Sequence, residues 1–201
     1  MKRLVLASGS PRRREVLAAL GLEFDVRRPD MEEIVLEGEL PEATVCRLAR
    51  EKAASVDAER GELVLAADTV VVLEGELLGK PTDAQDAAGM LMRLAGRTHD
   101  VFTGLALRSG TGCVSAAART EVSFRQFDRS ECEAYVATGE PLDKAGAYGI
   151  QGLGAALVDR IDGDFHNVMG LPVPTFLELL VAAGYRYRYG RIVQEHRPEN
   201  T

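Results

Sequence analysis

Continuous apolar runs and apolar residues at helical spacing alternate along this chain. Residues 4–7 form a short apolar run and residues 63–73 a longer one, and such runs predict buried strands. Segments 98–107 and 114–124 flank a turn signal at 109–112 and are predicted to pair antiparallel. Helices are predicted from residue 11, over 41–58, from 83 until Gly96, over 130–138 and over 173–183; shorter strands are predicted at 23–27, 77–78 and 155–161.

The order of these elements predicts the fold class. Helices and strands alternate, and one strand pair is antiparallel, which indicates an α/β protein with a mixed sheet and flanking helices. Neither an internal repeat nor a linker separates the chain into independent units. We therefore predict one domain over residues 1–184, followed by a polar tail over residues 185–201.

The composition of the chain narrows the kinds of molecule that the protein is expected to bind. The chain has 201 residues and a formal net charge of −7, so a broad nucleic-acid surface is not expected. Three cysteines without metal-ligand spacing favour free thiols, and His99 and His166 are too far apart in sequence to predict a zinc site. Since the chain has neither a signal segment nor a run of about 18 apolar residues, we expect no membrane association and a cytoplasmic location.

The turn at residues 8–10 joins the first predicted strand to the first helix. Ser8-Gly9-Ser10 places small residues where a ligand could approach the main chain, and Pro11 stands at the first helical position. Free N–H groups at such a helix start attract anions, above all phosphate. Arg12 and Arg13 are unexpected there, because the helix dipole disfavours cations at this end. We therefore expect a negative group between them; a junction with solvated arginines is the alternative.

Asp68 is the most informative single residue, because it interrupts an otherwise apolar strand. A buried carboxylate is costly unless a cation or hydrogen bonds compensate it, so a divalent metal ion or a lysine is the expected partner. Glu32 and Glu33, in an acidic loop, could add carboxylate oxygen to a Mg²⁺ or Mn²⁺ site. A strand-end cap at Asp68 and a solvated acidic loop are the alternatives.

Two lysines and a glycine-rich loop complete the candidate site. Lys52 and Lys80 suit phosphate oxygens as point charges, although exposed lysines are the simpler reading. Residues 143–152 combine glycines with polar side chains, and Gln151 offers a donor and an acceptor that could read the edge of a base. An ordinary Ω-loop is the alternative.

Together these segments resemble the Maf (septum-formation inhibitor-like) nucleotide pyrophosphatases. The resemblance runs in order from residue 4 to about residue 180. It rests on seven stretches: Leu-Ala-Ser-Gly-Ser-Pro-Arg-Arg at 6–13, Arg-Leu-Ala-Arg-Glu-Lys-Ala at 47–53, Ala-Asp-Thr-Val-Val at 67–71, Gly-Lys-Pro at 79–81, Gly-Arg-Thr-His at 96–99, the glycine-rich stretch at 139–152 and Asn-Val-Met-Gly-Leu-Pro at 167–172.

The resemblance implies a two-lobed, mixed-sheet α/β fold with flanking helices and a central cleft, of the Maf/ITPase-like kind. It also implies a divalent cation, Mg²⁺ or Mn²⁺, and hydrolysis of a nucleoside triphosphate to the monophosphate and pyrophosphate. The loop at 143–152 resembles the branch that acts on dTTP and UTP, with modified pyrimidine nucleotides as further candidates. Homodimers are common in the family, so we expect one here.

The resemblance also implies roles for individual residues. It makes Asp68 the catalytic acidic residue, often assigned as the base, with Lys52 and Lys80 beside it. It assigns Glu33 and Asp68 to the metal. The remaining matches are substrate-binding positions, of which Arg12, Thr69 and Gln151 are tied to base choice: Ser8, Arg12, Arg13, Thr69 and Gln151.

Two other functions remain open at this point. One is a nucleotide-binding regulator of cell division in which turnover is incidental. The set Asp68, Lys52, Lys80 and Glu33 favours the enzyme, because a sensor has no need of a metal-activated water. The other is the same hydrolysis on a modified purine nucleotide, against which Gln151 is the main indication.

Overall fold

A computed structural model gives the structure of residues 3–195. The strands are β1 (Leu4–Ala7), β2 (Phe24–Arg27), β3 (Leu63–Leu73), β4 (Glu76–Leu78), β5 (Thr98–Ser109), β6 (Gly112–Phe124), β7 (Val158–Asp162), β8 (Tyr185–Tyr187) and β9 (Ile192–Gln194). The α-helices are α1 (Pro11–Ala19), α2 (Pro41–Ser55), α3 (Ala84–Leu94), α4 (Arg129–Ala137), α5 (Phe165–Met169) and α6 (Val173–Ala182). Shorter 3₁₀ turns span Glu140–Asp143, Ala145–Ala147 and Gly152–Leu157.

Seven of the strands form one mixed sheet, which confirms the predicted α/β class. Its order is β2-β1-β3-β5-β6-β7, and β4 is added alongside β3. β1 is parallel to both of its neighbours, whereas from β3 through β5 and β6 to β7 each strand is antiparallel to the next. The predicted antiparallel pairing of β5 with β6 is confirmed over their whole length, from Thr98 opposite Ser123 to Ser109 opposite Gly112.

The central strand β3 has an interruption along one edge. β5 pairs with one side of β3 from Val64 to Val72. On the other side β1 pairs only as far as Ala66, and β4 begins only at Val71. Among residues 3–195, therefore, no strand pairs with residues 67–70 on that side. The turn that follows β1 opens beside this interruption.

The two faces of the sheet are covered differently. Alternate residues of a strand face opposite sides, and Val5, Ala7, Val64 and Ala66 pack with Ala49, Ala53 and Val56 of the α2 region. The opposite face carries the larger core, in which the leucines of β1 and β3 pack with side chains of α1, α3, α4 and α6. Helix α2 thus lies on one side of the sheet and the remaining large helices on the other.

Gly104 allows α2 to lie close to β5. A Cβ atom at this position would overlap the main-chain carbonyl of Val45 and would lie 2.6 Å from the main-chain nitrogen of Cys46. Gly104 is also the register partner of Asp68 on the neighbouring strand. The absence of a side chain at residue 104 therefore sets the distance between α2 and the part of β3 that carries Asp68.

Two element predictions need correction. Helix α2 ends at Ser55, not at residue 58, because Val56 is extended and packs its side chain into the core. The strand predicted at 155–161 is instead a 3₁₀ turn over Gly152–Leu157 followed by β7. The turn begins at Gly152 with φ +69°, a left-handed conformation that no strand continues.

The predicted polar tail begins with an ordered hairpin. Strand β8 pairs antiparallel with β9, and both Tyr185 and Ile192 are buried. The hydroxyl of Tyr187 donates to the carbonyl of Leu20 at 2.7 Å, next to the end of α1. Residues 196–201 lie outside the described part of the chain. Over residues 3–195, each helix is too short or too polar to cross a membrane.

Replacing Gly104 with Ala is expected to lower the free energy of unfolding by about 1–3 kcal/mol, because the added methyl group forces α2 away from β5. Urea unfolding followed by circular dichroism measures this change. Gly89→Ala is the matched control, since residue 89 is an exposed position within α3 with open space around it. That control should gain about 0.5–1 kcal/mol. A Gly104→Ala protein as stable as the wild type would contradict the close α2–β5 contact.

Candidate active site

A cavity of about 440 Å³ lies at the interruption in the edge of β3. Its wall is formed by six segments: the turn after β1, the first residues of α1, the loop after β2, the middle of β3, the loop after β4 and the loop at 143–150. Of the nine predicted site residues, eight line this cavity, and Gln151 does not: Ser8, Arg12, Arg13, Glu33, Lys52, Asp68, Thr69 and Lys80.

Lys52 joins the two carboxylates that the sequence assigns to the site. Its Nζ lies 2.5 Å from Oδ1 of Asp68 and 2.8 Å from Oε1 of Glu33. Asp68 is 5% exposed and Lys52 is 7% exposed. The prediction that Asp68 needs a metal ion or a lysine is confirmed for the lysine. Since both partners are buried, removal of either one would leave an uncompensated charge.

The alternation of β3 explains how this ion pair forms. Asp68 follows Val64 and Ala66 on the face that α2 covers, and Lys52 lies on the buried side of α2, next to Ala53. Thr69, the next residue, projects to the opposite face and contacts Arg13. The cavity reaches both faces because no strand closes the edge of β3 between them.

Glu33 reaches the cavity from the loop between β2 and α2. Its partial burial disfavours the charged form, but the hydrogen bond and charge of Lys52 outweigh this effect, with smaller contributions from Lys80 and Arg13. The pKa of Glu33 is therefore held below its usual value, and the carboxylate is ionised at neutral pH. Glu32, which the sequence also offered as a metal ligand, is exposed and does not line the cavity.

Arg13 forms hydrogen bonds to three separate segments of the chain. Its guanidinium donates to Oγ of Ser8 at 3.1 Å, to Oγ1 of Thr69 at 3.1 Å and to the carbonyl of Gly170 at 2.8 Å. Burial lowers the pKa of Arg13, and the charge of Asp68 opposes that change. Within the protein its hydrogen-bond acceptors are two hydroxyls and a carbonyl. The negative group expected between Arg12 and Arg13 stays a prediction.

Gly170 is required for this arrangement. It has φ +96°, and a Cβ atom there would lie 3.1 Å from Oγ1 of Thr69 and 3.3 Å from Nε of Arg13. A side chain would be strained by the backbone and would press on both partners. The turn after α5 can therefore approach Arg13 only with glycine at this position.

The hydroxyl of Ser8 is left with a free proton. Its oxygen accepts from Arg13 and from the main-chain N–H of Ser10 at 3.2 Å. A hydroxyl has two acceptor positions and one proton, so only the proton remains available to a ligand. Ser10 occupies the N-cap position of α1, but its side chain makes no capping hydrogen bond.

Three cations surround the cavity without a hydrogen bond or ion pair to any described residue: Arg12, Arg28 and Lys80. The local charge of the cavity is thus positive although the whole chain is acidic. Arg12 and Lys80 were predicted from the sequence. Arg28 was missed, because a single arginine after a short strand gives no pattern that distinguishes it from a surface residue.

The loop at 139–154 is held by Glu140. This carboxylate accepts from the hydroxyl of Tyr135 at 2.9 Å and from the N–H groups of Leu153 and Gly154, each at 3.0 Å. Burial of Glu140 disfavours its charged form, but these hydrogen bonds outweigh burial and leave its pKa below the usual value. One acidic side chain thus ties the two ends of the loop together.

Gln151 lies in a second cavity of about 340 Å³ that adjoins the first. Arg12 and Lys144 line both cavities. The loop is also joined to the Lys80 loop by a hydrogen bond from the N–H of Gly146 to the carbonyl of Gly79, at 3.0 Å. The structure therefore brings Gln151 next to the main cavity, on the far side of Arg12.

His99 supports one wall of the cavity from behind. It is buried, and its Nε2 lies 2.9 Å from the hydroxyl of Tyr148, whose ring lines the cavity. Both rings pack edge-on against Phe124. Burial lowers the pKa of His99 to about 4, so the ring is neutral at pH 7. His99 thus lies behind the wall and does not itself line the cavity.

Glu33 and Asp68 have the chemistry of a partial metal site. Both carboxylates meet one cation, the ammonium of Lys52, so their oxygens already converge on a single position. Within residues 3–195, clusters of three or more histidine, cysteine or acidic side chains suited to a metal are absent. Two carboxylates fit Mg²⁺ or Mn²⁺ when substrate phosphates and waters supply the other ligands.

The burial of His99 predicts a pH dependence of stability. Its pKa is about 4 when folded and about 6.5 when unfolded, so the unfolded chain binds the extra proton as the pH falls below 6.5. The wild type should lose about 3 kcal/mol from this group between pH 7 and pH 4. His99→Gln should lose about that much less, and urea unfolding at both pH values measures the difference.

His166→Gln serves as the control, because that ring is half exposed. Its stability should follow the wild type at both pH values. Equal pH dependence in His99→Gln and the wild type would show that the pKa of His99 is the same in the folded and unfolded chains, which would contradict the lowered value.

Comparison with known proteins agrees with the resemblance noted in the sequence. A chain from Anaeromyxobacter dehalogenans named dTTP/UTP pyrophosphatase is 53% identical over 187 residues, which cover 91% of this chain and 95% of that protein. One of the same name from Symbiobacterium thermophilum is 47% identical over 186 residues and covers 92% of this chain and 96% of that one.

Among solved structures, a HAM1 protein from Coxiella burnetii matches 62% of this chain and 73% of its own, with 18% identity and a TM-score of 0.42. A similarity at that level supports no inference about function. The family model described as Maf-like protein matches residues 3–183, nearly the whole described chain. This chain belongs to the Maf-like protein family.

Proposed function

We propose that this protein hydrolyses nucleoside triphosphates between the α- and β-phosphates, releasing the monophosphate and pyrophosphate, with dTTP and UTP as its substrates. The observation that carries the proposal is the convergence of Asp68, Lys52 and Glu33 with unpaired cations on one cavity. The names of relatives about half identical over nine-tenths of the chain support the same reaction and the same bases.

The turn after β1 is suited to bind the triphosphate. The free N–H groups at the start of α1 and the available proton of Ser8 are donors, and phosphate oxygens are acceptors only. Arg12, Arg28 and Lys80 supply positive charge around the same space. Together these groups would hold an anion of high charge without relying on the field of the whole, acidic protein.

Asp68 is placed to act as the base. Its Oδ1 accepts from Lys52, and no described residue donates to its Oδ2. In the proposed step a water oxygen forms a bond to the α-phosphorus, and its proton passes to Asp68. The bond from that phosphorus to the bridging oxygen breaks, and pyrophosphate leaves with the electron pair. Lys52 orients Asp68 before the step through the hydrogen bond to Oδ1.

The same carboxylates would hold a divalent cation. Glu33 and Asp68 are the residues that we assign to it, because their oxygens converge on one position. When bound, such a cation neutralises phosphate charge and lowers the pKa of a coordinated water. Lys52 then has the charge and reach to turn toward a phosphate oxygen, since its ammonium is a compact charge on a flexible stem.

The family resemblance also supports a homodimer in the cytoplasm. Apolar side chains at Ile34, Val35, Leu36 and Leu40, in and beside the loop that carries Glu33, are exposed on the isolated chain. Light scattering after gel filtration should give twice the chain mass of 21.7 kDa. A mass of one chain at micromolar concentration would contradict the homodimer.

The wild-type protein with Mg²⁺ or Mn²⁺ is expected to convert dTTP and UTP to monophosphate and pyrophosphate. In ¹⁸O-labelled water the label should enter the monophosphate, because water attacks the α-phosphorus. Chromatography with mass spectrometry identifies both products. Orthophosphate and diphosphate, or label in pyrophosphate, would contradict the proposed point of attack.

Asp68→Asn should reduce kcat by about 10²-fold or more, because the amide neither accepts the proton nor holds the cation. Asp100→Asn is the matched control; Asp100 lies on the neighbouring strand, where it pairs with Arg119 outside the cavity. It should retain wild-type activity. Tight nucleotide binding without turnover by the wild type, under either metal, would favour the regulator instead.

A further inference from the structure

A chain of hydrogen bonds leads from the cavity into the core. Arg13 donates to Oγ1 of Thr69 at 3.1 Å, the hydroxyls of Thr69 and Thr103 lie 2.9 Å apart, and Thr103 donates to the carbonyl of Asn167 at 2.9 Å. Thr103 is fully buried and is the register partner of Thr69 on β5. Asn167 is itself fixed, since its amide donates to the carbonyl of Val101 and to Thr120.

The two ends of this chain determine the direction of its middle bond. The guanidinium of Arg13 can only donate, and the carbonyl of Asn167 can only accept. The hydroxyl of Thr103 has one proton, which it uses in its hydrogen bond to the carbonyl of Asn167. Its oxygen must therefore accept the hydrogen bond from Thr69. The proton of Thr69 is therefore directed into the core and is not available in the cavity.

This leaves Thr69 with a single free position, a lone pair. One of its two acceptor positions receives the hydrogen bond from Arg13, and its proton is donated to Thr103. The other acceptor position stays open on a side chain that lines the cavity. Ser8, across Arg13, has the opposite character, because both of its acceptor positions are filled and its proton is free. One arginine thus separates a donor hydroxyl from an acceptor hydroxyl.

We infer that Thr103 is a specificity-determining positioning residue. Because Thr103 accepts the hydrogen bond that the Thr69 hydroxyl donates, Thr69 can act toward the substrate only as a hydrogen-bond acceptor. A pure acceptor selects a ligand that brings an N–H group. Uracil and thymine carry a hydrogen on ring nitrogen N3, whereas cytosine carries a lone pair on the same nitrogen. Two lone pairs facing each other cannot form a hydrogen bond and leave a desolvated polar group unpaired.

This role of Thr103 rests on the proposed function, because it requires Thr69 to contact the base of a pyrimidine nucleotide. It goes beyond that function in naming a residue that never touches the substrate. Thr103 has no exposed surface, and its hydroxyl meets only Thr69 and Asn167 among the described residues. We therefore assign its influence on the substrate to the orientation of the Thr69 hydroxyl, which it contacts directly.

The test compares hydrolysis of UTP and CTP by the wild type, Thr103→Val and Thr103→Ser. Valine has nearly the shape of threonine but cannot accept a hydrogen bond, so the Thr69 hydroxyl can turn and donate into the cavity. The ratio of kcat/KM for UTP over CTP should fall about tenfold in Thr103→Val, the equivalent of one hydrogen bond. Thr103→Ser keeps the hydroxyl and should retain the wild-type ratio.

Thr175→Val is the matched control for loss of a buried threonine hydroxyl. Thr175 is buried in α6 and lines neither cavity. It should leave the ratio unchanged. A second measurement uses only the wild type, and so is independent of whether the valine variant folds. UTP methylated on N3 has no N–H there and should be hydrolysed at least about tenfold less efficiently than UTP or dTTP.

Three results would overturn the inference while leaving the reaction intact. These are an unchanged ratio in Thr103→Val, equal loss of the ratio in Thr103→Ser and Thr103→Val, or equal use of UTP and N3-methylated UTP by the wild type. A wild type that hydrolyses none of these triphosphates, with either metal present, would instead refute the proposed function and the inference with it.

Discussion

A carboxylate within a buried strand must be compensated, and the ion pair of Asp68 with Lys52 meets that requirement here. Lys52 can reach Asp68 only because α2 lies close to the sheet, which in turn depends on the bare backbone of Gly104. The same ammonium holds Glu33. The closeness of one helix to one strand thus sets the distance between the two carboxylates that the proposed reaction needs.

The interruption in the edge of β3 gives this ion pair access to solvent. Were β1 or β4 a few residues longer, residues 67–70 would be paired on both sides, and the space beside Asp68 would be filled by another strand. Arg13 occupies the opening and fixes the hydroxyls of Ser8 and Thr69 in opposite senses. The cavity therefore offers donors and cations that suit an anion, and a hydroxyl acceptor that suits an N–H group of a ligand.

The residue types along the sequence predicted which residues belong to the site better than they predicted which residues contact each other there. A charge inside an apolar run was enough to predict a buried Asp68 with a cation beside it, which the structure shows. The small-residue turn was enough to predict an anion site. Both signals are local in sequence. The partners of Arg13 were not predictable, since Gly170 is 157 residues away. Thr103 was missed for the same reason: its importance follows from the register of β3 and β5, which alternation alone does not specify.

The most direct test of the account is to locate nucleotide binding in solution. Amide NMR spectra of ¹⁵N-labelled protein would be recorded with Mg²⁺ and the α,β-methylene analogue of UTP, which resists cleavage at the proposed bond. If substrate binds in the cavity beside β3, the largest shifts occur at residues 8–13, 67–70 and 143–151. Shifts concentrated elsewhere, for example in the β8–β9 hairpin, with these segments unchanged, would show that the cavity beside β3 does not bind the substrate.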